Sequence, residues 1–214
     1  MSVHLRPEEI EAESFRIIDA EVGKHTWSRD EWQVVRRAIH TSADFDYARA
    51  MVFSPDALSR GIAALRGGRG LVTDTTMALA GINKRLLERF GVGASCFVAD
   101  PDVSELAASH GITRSIAAMR KAATDPANGV FVIGNAPTAL FELLRLVREE
   151  GLRPDLVVGL PVGFVGAEES KEALIREASV PFITNRGRKG GSNVAAAVVN
   201  ALLLLALENE EKGP

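Results

Sequence analysis

Five short apolar runs, each closed by a turn and followed by a helical pattern, constrain this chain more than any other feature. They are Gly70–Thr73, Ser95–Val98, Val130–Ile133, Asp155–Val158 and Val180–Ile183. Helical spacing occupies residues 55–66, 78–90, 103–123, 137–150, 167–177 and 192–208. A strand that is apolar along its length has both faces covered, and the intervening helices supply the crossovers that parallel pairing needs. The expected fold is therefore α/β, a mostly parallel sheet of about five strands with helices on both faces. Upstream, Ile10, Phe15, Ile17, Ile18 and Val22 mark a first helix from Pro7 to about Val22. Ser28 and Glu31 form a capping box for a second, whose stripe of Trp32, Val35, Ala38 and Ile39 ends at His40. No linker interrupts this order, so residues 1–214 read as a single domain with N-terminal helices, residues 1–6 and 209–214 being flexible ends.

Composition removes several classes of function. With 46% hydrophobic and 25% charged residues the chain can bury a core and is far from the signature of disorder. A formal charge of -3 lacks the basic excess that nucleic acid or an anionic membrane surface would require, so any anion site must be local. The apolar run from Ala201 to Leu207 falls short of the roughly 20 residues that span a bilayer, and the N-terminus lacks a secretory pattern. The lone Cys96 has no disulfide partner within the chain and reads as a small hydrophobe in a reducing cytoplasm. His4, His25, His40 and His110 are scattered without ligand spacing, so no metal site is expected.

Parallel sheets bind ligands beyond the carboxyl ends of their strands, so the turn closing each run is the place to look for a site. Thr73-Asp74-Thr75-Thr76 closes the first, Gly159-Leu-Pro-Val-Gly163-Phe-Val-Gly the fourth and Arg186-Gly-Arg188-Lys189-Gly-Gly-Ser192 the fifth. The last is the most basic spot in the chain and opens onto a helix N-terminus, where free amides favour an anion; a solvated turn is the competing reading. Neither glycine-rich segment has the order of a P-loop or a dinucleotide fingerprint, and no Gly-x-Ser-x-Gly elbow occurs. Lys171 lies in Glu168-Glu-Ser-Lys-Glu172, at a helix start.

One polar cluster sits where a domain would otherwise lay down core: Arg36, Arg37, His40, Thr41, Ser42, Asp44 and Asp46. On a helix the two arginines share a face with His40, and the aspartates come next in the turn. The arginines disfavour an imidazolium while the aspartates and the helix C-terminus favour it, a balance suited to proton exchange. A histidine that merely closes the helix fits the same spacing.

Taken together, Ser14-Phe15, His40-Thr-Ser-Ala-Asp-Phe45, Thr73-Asp-Thr-Thr-Met77, the 159–172 segment and Arg186-Gly-Arg-Lys-Gly-Gly-Ser-Asn193 resemble the precorrin-8X methylmutase family of cobalamin biosynthesis, over about residues 7–207. The resemblance implies a homodimeric, cytoplasmic isomerase that moves a methyl group from C-11 to C-12 of a corrinoid ring in a 1,5-sigmatropic shift, giving hydrogenobyrinate without any cofactor. Its catalytic histidine corresponds to His40. Ser14, Arg37, Thr76, Arg114, Gly163, Lys171, Arg186, Arg188 and Lys189 are then the expected substrate contacts, because a ring edged with acetates and propionates is a polyanion. Transient contacts with neighbouring pathway enzymes are also implied. The cobalt-loaded ring, a non-catalytic corrinoid carrier, and an isomerase of some other polyanionic small molecule are the alternatives.

Overall fold

The computed structural model describes residues 6–177 and 179–211. The chain order is α1 (Pro7–Val22), α2 (Arg29–Ser42), α3 (Tyr47–Ala50), β1 (Met51–Phe53), α4 (Ala57–Arg66), β2 (Gly70–Thr73), α5 (Thr76–Gly81), α6 (Lys84–Arg89), β3 (Ala94–Ser95), α7 (Pro101–His110), α8 (Arg114–Ala123), β4 (Asn128–Ile133), α9 (Pro137–Glu149), β5 (Leu156–Gly159), α10 (Ala167–Glu177), β6 (Phe182–Asn185) and α11 (Ser192–Glu211). The strands form one sheet in the order β1-β6-β5-β4-β2-β3. All pairs are parallel except β1 with β6.

The period of two along each strand divides the core into two layers. Leu71, Val130, Val132, Leu156, Val158 and Ile183 face one layer, filled by α2, α4 and α11. Val72, Phe131, Ile133, Val157 and Phe182 face the other, with residues of α7, α8, α9 and α10. Helix α11 is apolar on nearly every side because α2, α4 and α5 surround it. The Ser28 box caps α2 as the sequence predicts, with the Glu31 amide 3.3 Å from the Ser28 hydroxyl and the Ser28 amide 2.8 Å from the Glu31 carboxylate.

The sheet has six strands among the described residues, where about five were expected. The addition is β1, three residues long and too short to show a period of its own. The run Ser95–Val98 contributes only Ser95 to a strand, because β3 is a two-residue edge and the chain turns away with the Asp100 amide bonding the Phe97 carbonyl at 3.0 Å. The single helix expected over 103–123 is two, since Gly111 takes the left-handed conformation (φ 62°) and the Thr113 hydroxyl caps a fresh start. The 78–90 pattern likewise divides, with Asn83 capping α6. Helix α11 continues through residues 209–211, where the sequence suggests a flexible end; residues 1–5 and 212–214 of the expected flexible ends lie outside the described residues.

Candidate active site

Four parallel strands, β2, β4, β5 and β6, end at one edge, and their turns are stitched to one another. Asp74, leaving β2, accepts the amides of Gly134, Asn135 and Ala136 at 2.8, 2.9 and 2.7 Å. It is 1% exposed, and burial pushes its carboxyl above the usual range against the downward pull of those three amides. The Gly191 amide bonds the Leu160 carbonyl at 2.9 Å and the Gly163 amide bonds that of Arg188 at 3.2 Å, tying the loop after β5 to the loop after β6. The Thr75 and Ser192 hydroxyls meet at 2.8 Å, closing α5 onto the start of α11.

Lys171 is the brace beneath this edge. It is fully buried, and its ammonium donates to the Lys189 carbonyl at 2.5 Å and the Asn185 amide oxygen at 3.2 Å. The Asn185 side-chain amide in turn donates to the carbonyls of Arg186 and Lys189 at 3.0 and 2.9 Å. Burial pushes the Lys171 ammonium down to about 8, with the charges of Glu168 and Glu172 acting in the opposite direction. Its hydrogen bonds thus hold the underside of the 186–191 loop instead of reaching the open rim.

The short antiparallel strand explains how the cluster around His40 reaches the same edge. Met51 is paired with Asn185, so the segment entering β1 lies where β6 leaves the sheet. The Arg186 amide bonds the Ala50 carbonyl at 2.8 Å. Lys189 grips Asp44 and Asp46 at 2.5 and 2.6 Å, which holds the Asp44 carboxyl below its usual range and raises the ammonium. The aspartates expected to bias the imidazole are therefore anchors for the basic loop.

His40 itself is exposed, on the last turn of α2, with its ring edge-on to Phe15 at 5.2 Å and 69°. It lines a cavity of about 230 Å³ together with Ser14, Ile17, Ile39, Ala43 and Phe45. Among the described residues no hydrogen bond engages its ring nitrogens, which leaves both free for a ligand. Arg36 and Arg37 do not attend the imidazole. Their guanidinium carbons stand 4.2 and 5.2 Å from the Phe15 ring centre, and they pair with Asp19 at 3.0 Å and Glu11 at 2.6 Å. The Ser14 hydroxyl donates to the Ile10 carbonyl at 2.8 Å.

Ser14 and His40 therefore share one cavity, while Gly163, Arg186, Arg188 and Lys189 share one pair of loops, braced by Lys171 of α10 and fastened to the turn after His40. Arg186 lies on Glu172 at 2.6 Å, and Arg188 stands 3.9 Å from Glu168 and 5.9 Å from the centre of the exposed Phe164 ring. Thr76 and Arg114 open α5 and α8 at other points of the edge, both exposed, and neither lines the His40 cavity. Cys96 is half-buried beyond β3. Sequence reasoning misses Asp74 and Asn185 as the residues that hold the loops; the available signal is a polar residue standing at the end of an otherwise apolar strand.

Comparison with known proteins places the chain in a family. The family model described as "Precorrin-8X methylmutase" matches residues 9–205. A cobalt-precorrin-8 methylmutase of Priestia megaterium is 48% identical over 202 residues, 94% of this chain and 89% of that protein. A precorrin-8X methylmutase of a Sinorhizobium species is 42% identical over 190 residues, covering 88% and 90%. The crystal structure of precorrin-8X methylmutase from Thermus thermophilus superposes with a TM-score of 0.85 at 41% identity, over 93% of this chain and 98% of that one. With its fold and nearly its whole length matched, the chain belongs to the precorrin-8X methylmutase family, the isomerases of cobalamin biosynthesis.

Proposed function

We propose that this protein moves the methyl group of precorrin-8X from C-11 to C-12, giving hydrogenobyrinate, with His40 as the catalytic acid. The observation that carries the reading is an exposed imidazole on an apolar wall, in one cavity with Ser14, whose own turn is fastened to the basic 186–191 loop. In a 1,5-sigmatropic shift the bond to C-11 breaks as the bond to C-12 forms and the ring's conjugation moves over, so no nucleophile is needed. What the protein supplies is a single ring orientation and a proton or hydrogen bond at a ring nitrogen, which His40 provides. General acid catalysis of this kind contributes about 10²–10⁴-fold, and orientation the remainder. Gly163, Arg186, Arg188 and Lys189, with Thr76 after β2 and Arg114 at the start of α8, meet the ring and its carboxylates. Arg37 and Lys171, whose charges are taken up inside the protein, act from behind by holding Phe15 and the loop.

The protein works in this reading as a cytoplasmic homodimer. Phe164 and Val165, 86% and 88% exposed beside Val162 and Phe141, form an apolar patch on the rim that a second subunit would cover. Among the described residues no helix is long and apolar enough to cross a membrane. A ring carrying cobalt is the second reading, favoured by the 48% identity to a cobalt-precorrin-8 methylmutase against 42% to a precorrin-8X methylmutase. Incubation with precorrin-8X and with cobalt-precorrin-8 separately, monitored by visible absorbance, decides between them, and turnover of neither refutes the function. His40→Asn should keep affinity for the ring and lose at least about 100-fold in kcat. An intact rate in that variant removes His40 from the catalytic role.

A further inference from the structure

The cavity beside His40 is small for the ring it is proposed to serve. Its 230 Å³ lies below the roughly 300–1,000 Å³ typical of pockets that enclose a small-molecule ligand, and a tetrapyrrole with its side chains is a large ligand. The ring must therefore extend past this wall. One direction is open: a groove of about 660 Å³ between the end of α1 and α3 shares Glu21 and Phe45 with the His40 cavity. Phe45, 37% exposed, is the apolar sill between the two.

Lys24 and Arg49 bring the groove positive charge that no carboxylate among the described residues pairs with. Lys24, His25 and Arg49 line it, all exposed, and none of their side chains forms an ion pair or hydrogen bond with another described residue. By contrast Arg37, Arg186 and Lys189 are each held by carboxylates of this chain at 2.5–2.6 Å. Of the two acids in the groove, Asp46 is matched by Lys189, which leaves Glu21 as the acid opposing Lys24 and Arg49. The walls are fixed before any ligand arrives: the Trp27 indole donates to the Ala48 carbonyl at 2.9 Å, and His25 stacks on Trp32 at 4.1 Å and 24°. Basic groups on a rigid, partly enclosed wall can meet carboxylates by charge-assisted hydrogen bonds without first breaking pairs of their own.

Resting on the methylmutase reading, we infer that the Lys24–His25–Arg49 groove is a carboxylate subsite that takes peripheral acetate or propionate arms of the ring whose conjugated face lies over Phe45 and His40. The groove sets affinity and orientation, and takes no part in the proton step. Its residues are exposed, so substitution there leaves the core untouched.

The test compares wild type with the Lys24→Gln/Arg49→Gln double variant and with Arg49→Lys, using hydrogenobyrinate in absorbance titrations and precorrin-8X and cobalt-precorrin-8 in turnover, with melting curves to show that folding is unchanged. The double variant should raise Kd and KM about tenfold or more, the effect falling on KM and not on kcat, and the rise should shrink at high salt. Arg49→Lys, which keeps the charge, should raise Kd and KM by much less than the double variant does. Unchanged Kd and KM alongside normal wild-type turnover overturn the subsite and leave the methylmutase reading standing. A wild-type protein inert toward both rings overturns that reading and the subsite with it.

Discussion

Replacing Lys171 by methionine keeps an unbranched apolar side chain one atom shorter and removes its charge, which isolates what the buried ammonium does for the 186–191 loop. Burial pushes that ammonium from its ordinary 10.5 down to about 8. Between these two pH values the unfolded chain holds the proton and the folded chain does not. Stability due to this residue therefore rises with pH, by about 1.4 kcal/mol per pH unit and at most about 3 kcal/mol in all. Below pH 8 both states are protonated and the wild type carries the full cost of the buried charge. Methionine escapes that cost but leaves the Lys189 carbonyl and the Asn185 amide oxygen without this donor, a loss of about 1–3 kcal/mol. The two effects nearly cancel near neutrality, so a single measurement at neutral pH says little. The informative quantity is the difference in unfolding free energy between wild type and variant, from urea titrations monitored by circular dichroism at pH about 7.5, 9 and 10. Other lysines cancel in that difference. It should swing by up to about 3 kcal/mol in favour of the wild type as pH rises from 8 toward 10.5. A difference that stays constant across this window refutes the reasoning and means that the folded lysine titrates as an ordinary surface group.

Gly190→Ala should unfold at markedly lower urea, by about 3 kcal/mol, and lose activity, because the added methyl lies against the Leu160 carbonyl and 2.7 Å from that of Pro161. An unchanged unfolding midpoint would show that the two loops can separate freely. Asp74→Ala strands three amides, two of them buried, and should cost about 3–5 kcal/mol in the same assay; a loss below about 1 kcal/mol would mean that water or another group satisfies them.

The layers of the fold are legible in the chain because burial on both faces leaves its mark residue by residue. Runs such as Val130–Ile133 read as buried strands at once, and Phe131 and Val132 do fall into opposite core layers. Boundaries are less legible where a single residue changes the backbone: Gly111 and Thr113 break what the periodicity alone reads as one helix. Strand β1 leaves no signal of its own, since three apolar residues after a helical turn suit several conformations. That strand matters most for the site. Its antiparallel pairing with β6 brings the turn after His40 to the basic loop.

Local pattern in the chain was enough to specify the α/β alternation, the rim of strand-end turns, the helix cap at Ser28 and the family motifs around His40. It did not specify which charges find partners. Lys189 and Asp46 are 143 positions apart, and nothing in either neighbourhood names the other as its partner. Coulombic and hydrogen-bonded pairing depends on separation in space, and that separation is set by strand order and register. It therefore took the folded arrangement to bury Lys171 against the 186–191 loop, to give the aspartates after His40 to Lys189, and to leave Lys24 and Arg49 unpaired among the described residues beside the His40 cavity.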